Sequence, residues 1–437
     1  MHRRRIPVAS IQAPAHDRKD FESAWPAIVR SVDEAGQRGA KLVVLPEGTV
    51  PGYVLGHETV ADEQLASARA DLAACARRHE CVVVYGTALR AGEQTLNAAL
   101  VIGPDGGALG AAAKRFLWHF DRRWFAPGAE LEPIDTPAGK LGVLVCADGR
   151  IPTIAATLVE RGAEILVMPT AWVTSGRDPA ARENVQADFM MQVRARENGV
   201  PFVAANKCGI ELASVAYCGK SALVAADGTY VARASESTPE TVFGSLELGA
   251  QRAAPAGFAP HSPAAAPSQR SIRLAFTPAT DEQELARLAA FATIADADAV
   301  IDAAQADAEP VDREAVIAGV SAAAVRWETV CAPRGLVAAR LAGICLFLCR
   351  APAAEERWQV PFARTRAAEL RAYVVVFSSG ARAFAVDPDG AVVAGTFDGY
   401  RLASFVYDPA RTAATLVAPN TDVLLGLRSA EALRSGG

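Results

Sequence analysis

Short apolar runs alternate with helix-like segments through the first 248 residues, and this alternation limits the possible folds more than any other feature of the chain. A run that is apolar throughout predicts a strand buried on both faces, which requires helices outside a mixed sheet. We therefore predict an α/β layered domain. The predicted strands are residues 6–13, 41–47, 81–89, 97–104, 140–147, 164–171, 201–207 and 221–228, and the predicted helices are 21–39, 61–79, 151–162 and 183–199.

Two Asp-Gly pairs predict hairpin turns, because the glycine supplies the positive φ that such turns need. They are Asp105-Gly106 and Asp227-Gly228. The Gly-rich stretch 103–110 superficially resembles a phosphate loop. It precedes no helix and lacks the Lys-Ser/Thr ending, so we interpret it as a turn.

The segment 249–269 consists mostly of Ala and Pro and has almost no large apolar side chains. Such a segment cannot bury a core, which predicts an extended connector. A chain of 437 residues is also long enough for two domains. We predict domains at 1–248 and 270–437.

The second part repeats the pattern of the first. RSIRLAFTPA at 270–279 echoes RRIPVASIQAPA at 4–15, and TRAAELRAYVVVFSSG at 365–380 follows the pattern of RARENGVPFVAANKCG at 194–209. Asp389-Gly390 then takes the place of Asp227-Gly228. The alternative is chance similarity between Ala-rich segments. Because strand, turn and helix patterns recur in the same order, we predict two copies of one fold, the second shortened.

Three apolar runs of the first part each lead into a different reactive side chain, namely Glu47, Lys114 and Cys146. Together these residue types make an acyl-transfer apparatus. A thiol supplies the nucleophile, a carboxylate moves its proton and an ammonium stabilises the oxyanion.

The segments around these residues resemble the motifs of the nitrilase superfamily of carbon–nitrogen hydrolases. They are VVLPEGTVPGY, KRFLWHFDRRWFAPG and GVLVCADGRIP, in the family's order within residues 5–248. The resemblance implies a four-layer αββα sandwich, a Glu-Lys-Cys triad and no cofactor. Members of the family commonly pair so that two sandwiches stack. A tandem chain is then expected to form that pair within itself as a pseudo-dimer, and further homo-oligomerisation is an open alternative.

The resemblance assigns one role to each member of the triad. Cys146 would be the nucleophile, with its pKa lowered by the ammonium and by a helix beginning near Pro152. Glu47 would be the general base, partly buried with a raised pKa. Lys114 would stabilise the oxyanion with the backbone N–H of Ala147. The alternatives are a core cysteine, a surface glutamate and a solvated lysine.

Asp121 occupies the place where family members usually carry a second Glu after the Lys. The Asp side chain is one methylene shorter than Glu. If Asp121 takes part in the reaction, it is therefore expected to orient Lys114 or the substrate differently from the family's Glu. An alignment shifted by one residue would place Arg122 there instead.

Arg150 has two interpretations. In relatives that hydrolyse N-carbamoyl amino acids, an Arg near this position binds the substrate carboxylate. The structural alternative, which we favour, is an ion pair with Asp148 or Glu160. Three further residues are candidates for the pocket wall, namely Trp172, His119 and Tyr53. For Trp172 the alternative is packing in the core.

The second part has no clear counterpart of the triad. Ala304 or its neighbours take the place of the Glu, and the Lys counterpart would fall around Val325-Arg326. Aligning Arg350 with Arg150 puts Leu346 opposite Cys146. We predict no hydrolytic site there.

Composition excludes several other classes of function. The chain has 44 Lys and Arg against 49 Asp and Glu, a net charge of −5, with no basic stripe for nucleic acid. No run approaches the roughly 18 apolar residues of a membrane span. The N-terminal Met-His-Arg-Arg-Arg precedes a polar stretch, so we expect no export signal and a cytoplasmic protein. The eight cysteines include no CxxC pair, and the histidines have no zinc-ligand spacing, so we expect neither a disulfide framework nor a metal site.

The sequence favours hydrolysis of an amide or an N-carbamoyl compound, a small-molecule substrate. Nitrile hydrolysers of the family usually carry Trp-Glu after the Cys, whereas this chain has Ala147-Asp148. Nitrile hydrolysis and acyl transfer to an amine remain alternatives within the family. A non-catalytic scaffold is the alternative from another class.

Overall fold

The computed structural model describes residues 4–55, 61–174, 181–249, 258–259, 270–309, 311–378, 382–397 and 399–435. The chain divides into two compact units. The first comprises Met1–Arg252 with Ala418–Thr421, and the second comprises Ala253–Val417 with Asp422–Gly437. Most of the predicted connector 249–269 lies outside the described residues. Within them, no helix combines the length and the apolar character that a membrane span requires.

The strands of the first unit form two sheets. In chain order, β1 to β14 are Arg4–Pro14, Leu42–Val44, Val82–Ala91, Gln94–Ile102, Ala108–Ala113, Ile134–Thr136, Gly139–Val143, Ile165–Pro169, Phe202–Ala205, Lys207–Glu211, Val215–Cys218, Ala222–Val224, Tyr230–Arg233 and Glu240–Leu248. The eight-stranded sheet has the order β11-β10-β1-β2-β3-β4-β5, with β14 antiparallel to β1. The six-stranded sheet has the order β13-β12-β9-β8-β7-β6. Strands β1, β2 and β3 run parallel in the first sheet, and β7, β8 and β9 in the second.

Four helices cover the outer faces of these sheets. They are α1 (Phe21–Gln37), α2 (Asp62–His79), α3 (Pro152–Glu160) and α4 (Met191–Asn198). Helices α1 and α2 contact the first sheet, α3 and α4 contact the second, and β1, β2 and β3 of the first sheet touch β8 and β9 of the second. The layers are therefore α, β, β, α, and the predicted sandwich is confirmed.

Each predicted strand and helix of this unit has a counterpart in the structure, and six further strands were not predicted: β5, β6, β10, β11, β13 and β14. Strands β2 and β8, which other strands flank on both sides, are fully buried, which explains their uninterrupted apolar sequence. The stretch 103–107 joins β4 to the antiparallel β5 as a turn and begins no helix.

The second unit repeats the sandwich with fewer strands. In chain order, β15 to β23 are Ile272–Thr277, Ala299–Asp302, Arg313–Ile317, Val320–Arg326, Leu346–Ala351, Tyr373–Ser378, Arg382–Val386, Val392–Gly395 and Ala403–Tyr407, and the short pair β24 and β25 is Leu416–Ala418 and Thr421–Asp422. Its helices α5 to α10 are Glu282–Ile294, Trp327–Cys331, Val337–Leu341, Glu356–Leu370, Pro409–Ala413 and Val423–Ser435. The six strands β17 to β22 have the same neighbours and directions as β6, β7, β8, β9, β12 and β13.

A bulge marks the same place in both six-stranded sheets. It lies between Leu223 and Val224 in the first unit and between Ala385 and Val386 in the second. The Asp-Gly turn follows three residues after each of these bulges, as the repeat predicts. This strand order supports the predicted second copy of the fold, which stays a prediction.

The strand ladders correct the predicted equivalence of Leu346 and Cys146. Starting from the two equivalent bulges, the paired residues can be followed from strand to strand across each six-stranded sheet. This makes Gly142 in β7 equivalent to Ala323 in β18. Cys146 and Trp327 each lie four residues further along the chain. Trp327 therefore takes the place of Cys146. The sequence alignment was wrong because GICLFLCRAP is the counterpart of β8, the neighbour of the nucleophile's strand.

The predicted place of the Lys counterpart was also wrong. Lys114 follows β5, and β16, the equivalent of β2, is followed in the chain by β17, the equivalent of β6. The described residues between β16 and β17 form no strand. Val325 instead lies in β18, the equivalent of β7. The second unit thus lacks the segment of chain that carries the lysine in the first.

A buried ion pair has been repeated together with the fold. Arg194 Nη1 lies 2.7 Å from Glu197 Oε1, and Arg366 Nη1 lies 2.5 Å from Glu369 Oε1. The Nε of Arg194 donates to the carbonyl of Gly149, in the turn that begins with Cys146. The Arg194–Glu197 pair consequently stabilises the turn Cys146–Arg150.

Candidate active site

Three loops of the first unit bring the predicted triad to one place between the sheets. Glu47 follows β2, Lys114 follows β5 and Cys146 follows β7. Lys114 Nζ lies 2.8 Å from Glu47 Oε1 and 2.6 Å from Asp121 Oδ2. The side chains of Glu47, Lys114 and Asp121 have no exposed surface, and Cys146 is buried. The structure therefore places Asp121, and not the exposed Arg122, against the ammonium.

The loop that carries Glu47 packs closely against strand β3. A Cβ added to Gly86 would lie 2.4 Å from the Cα of Glu47, so glycine is required for this approach. The Gly86 N–H donates to the Pro46 carbonyl at 3.0 Å, and the Asn97 amide donates to Glu47 Oε1 at 2.6 Å. The other carboxylate oxygen, Oε2, has no hydrogen-bond partner among the described residues. Glu47 is thus held by one oxygen and has the other available for a proton.

The backbone and an acidic partner fix the position of Lys114. Its N–H donates to Asn97 O at 2.7 Å and its carbonyl accepts from Gly128 N–H at 2.8 Å. Asp121 accepts at Oδ2 from the N–H of Trp118 and at Oδ1 from the hydroxyl of Tyr53, at 2.9 and 3.1 Å. Asparagine 97 was not predicted as a site residue. Its signal was a polar side chain directly before the apolar run 98–102.

Cys146 begins a tight 3-10 turn, Cys146–Arg150, with a positive φ of 49°. This conformation is unusual for a residue with a side chain and is enriched at functional sites. Gln186, in a π-helical turn that leads into α4, stabilises it. With its amide oriented to satisfy both neighbours, Gln186 donates to Cys146 O at 2.9 Å and accepts from Trp172 Nε1 at 3.2 Å. Sequence reasoning missed Gln186, because it lies 40 residues from Cys146.

The predicted lowering of the Cys146 pKa was wrong. Burial raises the pKa of this thiol well above its usual value, and the negative charge of Glu47 raises it further. Lys114, Thr170 and the backbone of Ala171 act in the opposite direction without overcoming burial. Helix α3 begins at Pro152, six residues after Cys146. The partial positive charge at its N-terminus is therefore too distant to lower the pKa of the thiol appreciably. At neutral pH Cys146 is therefore a thiol, and the charges of Glu47 and Lys114 both act on it.

Asp148 connects the loop of the nucleophile to the loop of the lysine. Its carboxylate accepts from the backbone N–H groups of Phe116, Arg115 and Val145 at 2.8, 3.0 and 3.1 Å. Burial raises the pKa of Asp148 to about 6, against the stabilising effect of these donors. Asp148 thus joins the segment that follows Lys114 to the segment that precedes Cys146.

The remaining predicted residues lie around this centre. Arg150 places its guanidinium 4.8 Å from the centre of the Trp118 ring. Trp172 is buried, and its indole N–H donates to Gln186, which in turn donates to the Cys146 carbonyl. Ala147, the predicted backbone donor for the oxyanion, is buried directly after the nucleophile. The His119 ring lies edge-on to Phe120, and Phe120 also contacts the ring of Tyr53, as the centroid distances of 5.1 and 5.5 Å show.

Comparisons with known proteins identify the family of the first unit. Residues 7–256 match the family model described as carbon-nitrogen hydrolase. The chain is 30% identical over 228 residues to a nitrilase of Pyrococcus abyssi, covering 50% of this chain and 80% of that protein. It is 26% identical over 274 residues to the N-carbamoylputrescine amidase of Arabidopsis thaliana, covering 56% and 88%. An amidase from Nesterenkonia sp. superposes with a TM-score of 0.50 at 25% identity, covering 56% of this chain and 90% of that one. The chain belongs to the carbon–nitrogen hydrolase family of the nitrilase superfamily.

Proposed function

We propose that the first unit hydrolyses a small amide or an N-carbamoyl compound through a thioester at Cys146. The observation that carries this proposal is the Glu47 carboxylate, which is held at Oε1 by Lys114 and Asn97 and has Oε2 without a partner among the described residues. A buried carboxylate with one spare oxygen beside a protonated thiol is suited to general base catalysis.

The chemistry divides into two half-reactions. The Cys146 sulfur attacks the substrate carbonyl while its proton passes to Glu47, and a tetrahedral oxyanion forms. Glu47 then gives the proton to the leaving nitrogen as the C–N bond breaks, which leaves a thioester and releases ammonia or an amine. Water attacks the thioester with Glu47 as base, the C–S bond breaks, the thiol regains a proton and the acid departs.

Lys114 stabilises the oxyanion in both half-reactions. A fully buried ammonium acts in a medium of low dielectric constant, where its attraction to a developing charge is stronger than in water. Two carboxylates raise the pKa of Lys114 well above its usual value despite burial, so it remains charged through the cycle. The Ala147 N–H is the second donor in this proposal.

Nitrile hydrolysis is the second candidate, because one relative is named a nitrilase. The residue pair after the nucleophile favours amides. Asp148 uses its carboxylate to bind three backbone N–H groups, so it is not available to a nitrile or to its thioimidate.

The test is a panel of amides, N-carbamoyl compounds and nitriles, followed by ammonia release and by intact-mass detection of an acyl adduct. We expect turnover of amides or carbamoyl compounds and an adduct on wild type that is absent from Cys146→Ala. Cys331→Ala is the matched control, since Cys331 is a partly exposed cysteine of the second unit. Activity retained at the normal rate in Cys146→Ala would contradict the mechanism. A panel with neither product nor adduct would favour a non-catalytic scaffold.

A further inference from the structure

A second buried polar cluster lies on the strands next to the triad. Lys207 Nζ is 3.2 Å from Glu211 Oε2, and both residues are on β10. The Tyr217 hydroxyl donates to Glu211 Oε2 at 2.6 Å, and the backbone N–H of Val54 donates to Oε1 at 2.8 Å. Lys207 and Glu211 have at most 1% of their side-chain surface exposed. No step of the proposed hydrolysis uses them.

The Lys207 ammonium has hydrogen-bonding capacity that the described residues do not use. An ammonium carries three N–H donors, and in the described part of the chain only Glu211 accepts from it. His16, beside this cluster, has a buried Nδ1 without a partner among the same residues. Burial and the nearby Lys207 charge lower the pKa of His16 to about 4, so it is neutral at pH 7. Buried polar groups in native proteins are usually satisfied, which indicates that these groups meet a ligand or water.

The ring of Tyr53 joins this cluster to the catalytic centre. Lys114 Nζ lies 5.8 Å from the centre of that ring and Lys207 Nζ lies 5.9 Å from it, so the two ammonium groups are no more than about 12 Å apart. Lys207 Nζ is also 5.4 Å from the Tyr217 ring. Tyr53 and Tyr217 pack with Ala171, the residue whose backbone lies against the Cys146 thiol. The unused Lys207 donors thus lie within about 12 Å of the Lys114 ammonium, a separation that a substrate of several atoms can span.

The charges of the site indicate which ligand group these donors accept. Glu211 already balances Lys207, and two carboxylates, Glu47 and Asp121, surround the single ammonium of Lys114. Within these two described clusters, positive charge does not exceed negative charge, so they do not attract an anion strongly. The unused N–H donors of Lys207 need an acceptor oxygen, and either a carbonyl or a carboxylate supplies one.

We propose that Lys207 donates a hydrogen bond to an oxygen on the acyl portion of the substrate. The substrate is then an amide whose acyl chain carries a second carbonyl or carboxylate oxygen a few bonds from the scissile carbonyl. This inference rests on the proposed amide hydrolysis only for the identity of the group that is cleaved.

The test compares three amides of equal chain length in the full chain. Butyramide has no second oxygen, succinamide carries a second carbonyl and succinamate carries a carboxylate. We expect wild type to prefer both oxygen-bearing amides over butyramide by about tenfold or more in kcat/KM, the size of one charge-assisted hydrogen bond. Lys207→Met is expected to remove that preference. Lys207→Gln, which keeps two N–H donors, is expected to retain part of it and guards against misfolding of the Met variant.

Lys220→Met is the matched control, because Lys220 is a nearly buried lysine paired with Asp188 at 2.7 Å, away from the triad. It should leave the preference unchanged. The proposal is overturned if wild type shows no preference, or if Lys207→Met keeps the preference of wild type. Comparison of succinamide with succinamate shows whether the carbonyl or the carboxylate is the better acceptor.

A second readout separates this proposal from the proposed function. The same amides are tested as protectants of Cys146 against iodoacetamide, followed by intact mass. Protection that follows the oxygen preference and depends on Lys207, without turnover, supports the Lys207 inference and contradicts hydrolysis. Turnover without any preference supports hydrolysis and contradicts the inference. Absence of both turnover and protection contradicts both.

Discussion

Lys114 and Asp121 form a fully buried ion pair, with Nζ 2.6 Å from Oδ2. Asp121 is the shorter acid at the place where the family pattern has Glu, yet it reaches the ammonium. It does so because the N–H of Trp118 and the Tyr53 hydroxyl hold its carboxylate in place. The Glu47 and Asp121 carboxylates thus approach Lys114 together, which keeps the ammonium charged and oriented.

Asp121→Asn is expected to lower kcat by about a hundredfold or more, because it removes one of the two charges that orient a catalytic ammonium. Breaking a buried pair also costs about 3–5 kcal/mol of stability. Steady-state kinetics and thermal unfolding measure the two effects. Arg122→Gln is the control, since the neighbouring Arg122 is exposed. Full activity of Asp121→Asn would show that Glu47 alone positions the lysine.

Gly86→Ala is expected to displace Glu47, since the new Cβ would lie 2.4 Å from Glu47 Cα and 2.5 Å from Pro46 O. Overpacking of this kind costs about 1–3 kcal/mol, and we expect a larger relative loss in kcat than in stability. The control is Gly107→Ala, where the nearest atoms belong to the flexible side chain of Asp105 at 3.2 Å. The prediction fails if Gly86→Ala and Gly107→Ala have equal kcat.

The raised pKa of Asp148 predicts that the protein becomes less stable as the pH rises through the acid range. Its folded pKa of about 6 lies above the ordinary 3.8, so the unfolded state ionises first as pH rises. The contribution of Asp148 to the free energy of unfolding is therefore fully present below pH 4. It decreases by about 3 kcal/mol between about pH 4 and pH 6, according to the linkage relation. Denaturant midpoints of wild type and Asp148→Asn across this range measure the effect. The variant lacks the carboxyl, so its midpoint should change less over this range than that of wild type. Parallel curves would contradict the prediction.

Gln186→Ala is expected to slow both turnover and the alkylation of Cys146 by iodoacetamide. The variant removes the donor to the Cys146 carbonyl and the acceptor of the Trp172 indole N–H, so the strained turn of the nucleophile loses its support. A lost buried hydrogen bond costs about 1–3 kcal/mol, or roughly tenfold to a hundredfold in rate. Gln192→Ala on the same helix removes only a bond to the Gly228 carbonyl and serves as the control. Equal alkylation rates in wild type and Gln186→Ala would contradict this role.

The three triad residues were visible in the sequence because each follows an apolar run in a family motif. Strand position and turn chemistry are local properties, so they can be derived from neighbouring residues. The same reasoning identified the second sandwich and the Asp-Gly turn that both copies keep. Asp121 was also found locally, although its contact with Lys114 was left open against Arg122.

The tertiary structure decided what depends on distant segments. Burial raises the pKa of Cys146, whereas the motif alone suggested a thiolate. Asn97, Gln186 and Lys207 reach the site from separate strands and helices, and no spacing in the sequence connects them to the triad. Strand pairing, not similarity of letters, identified Trp327 as the counterpart of Cys146. The physical reason is common to all three results. A local pattern determines which element forms, but dielectric environment, hydrogen-bond partners and register depend on which other elements pack against it.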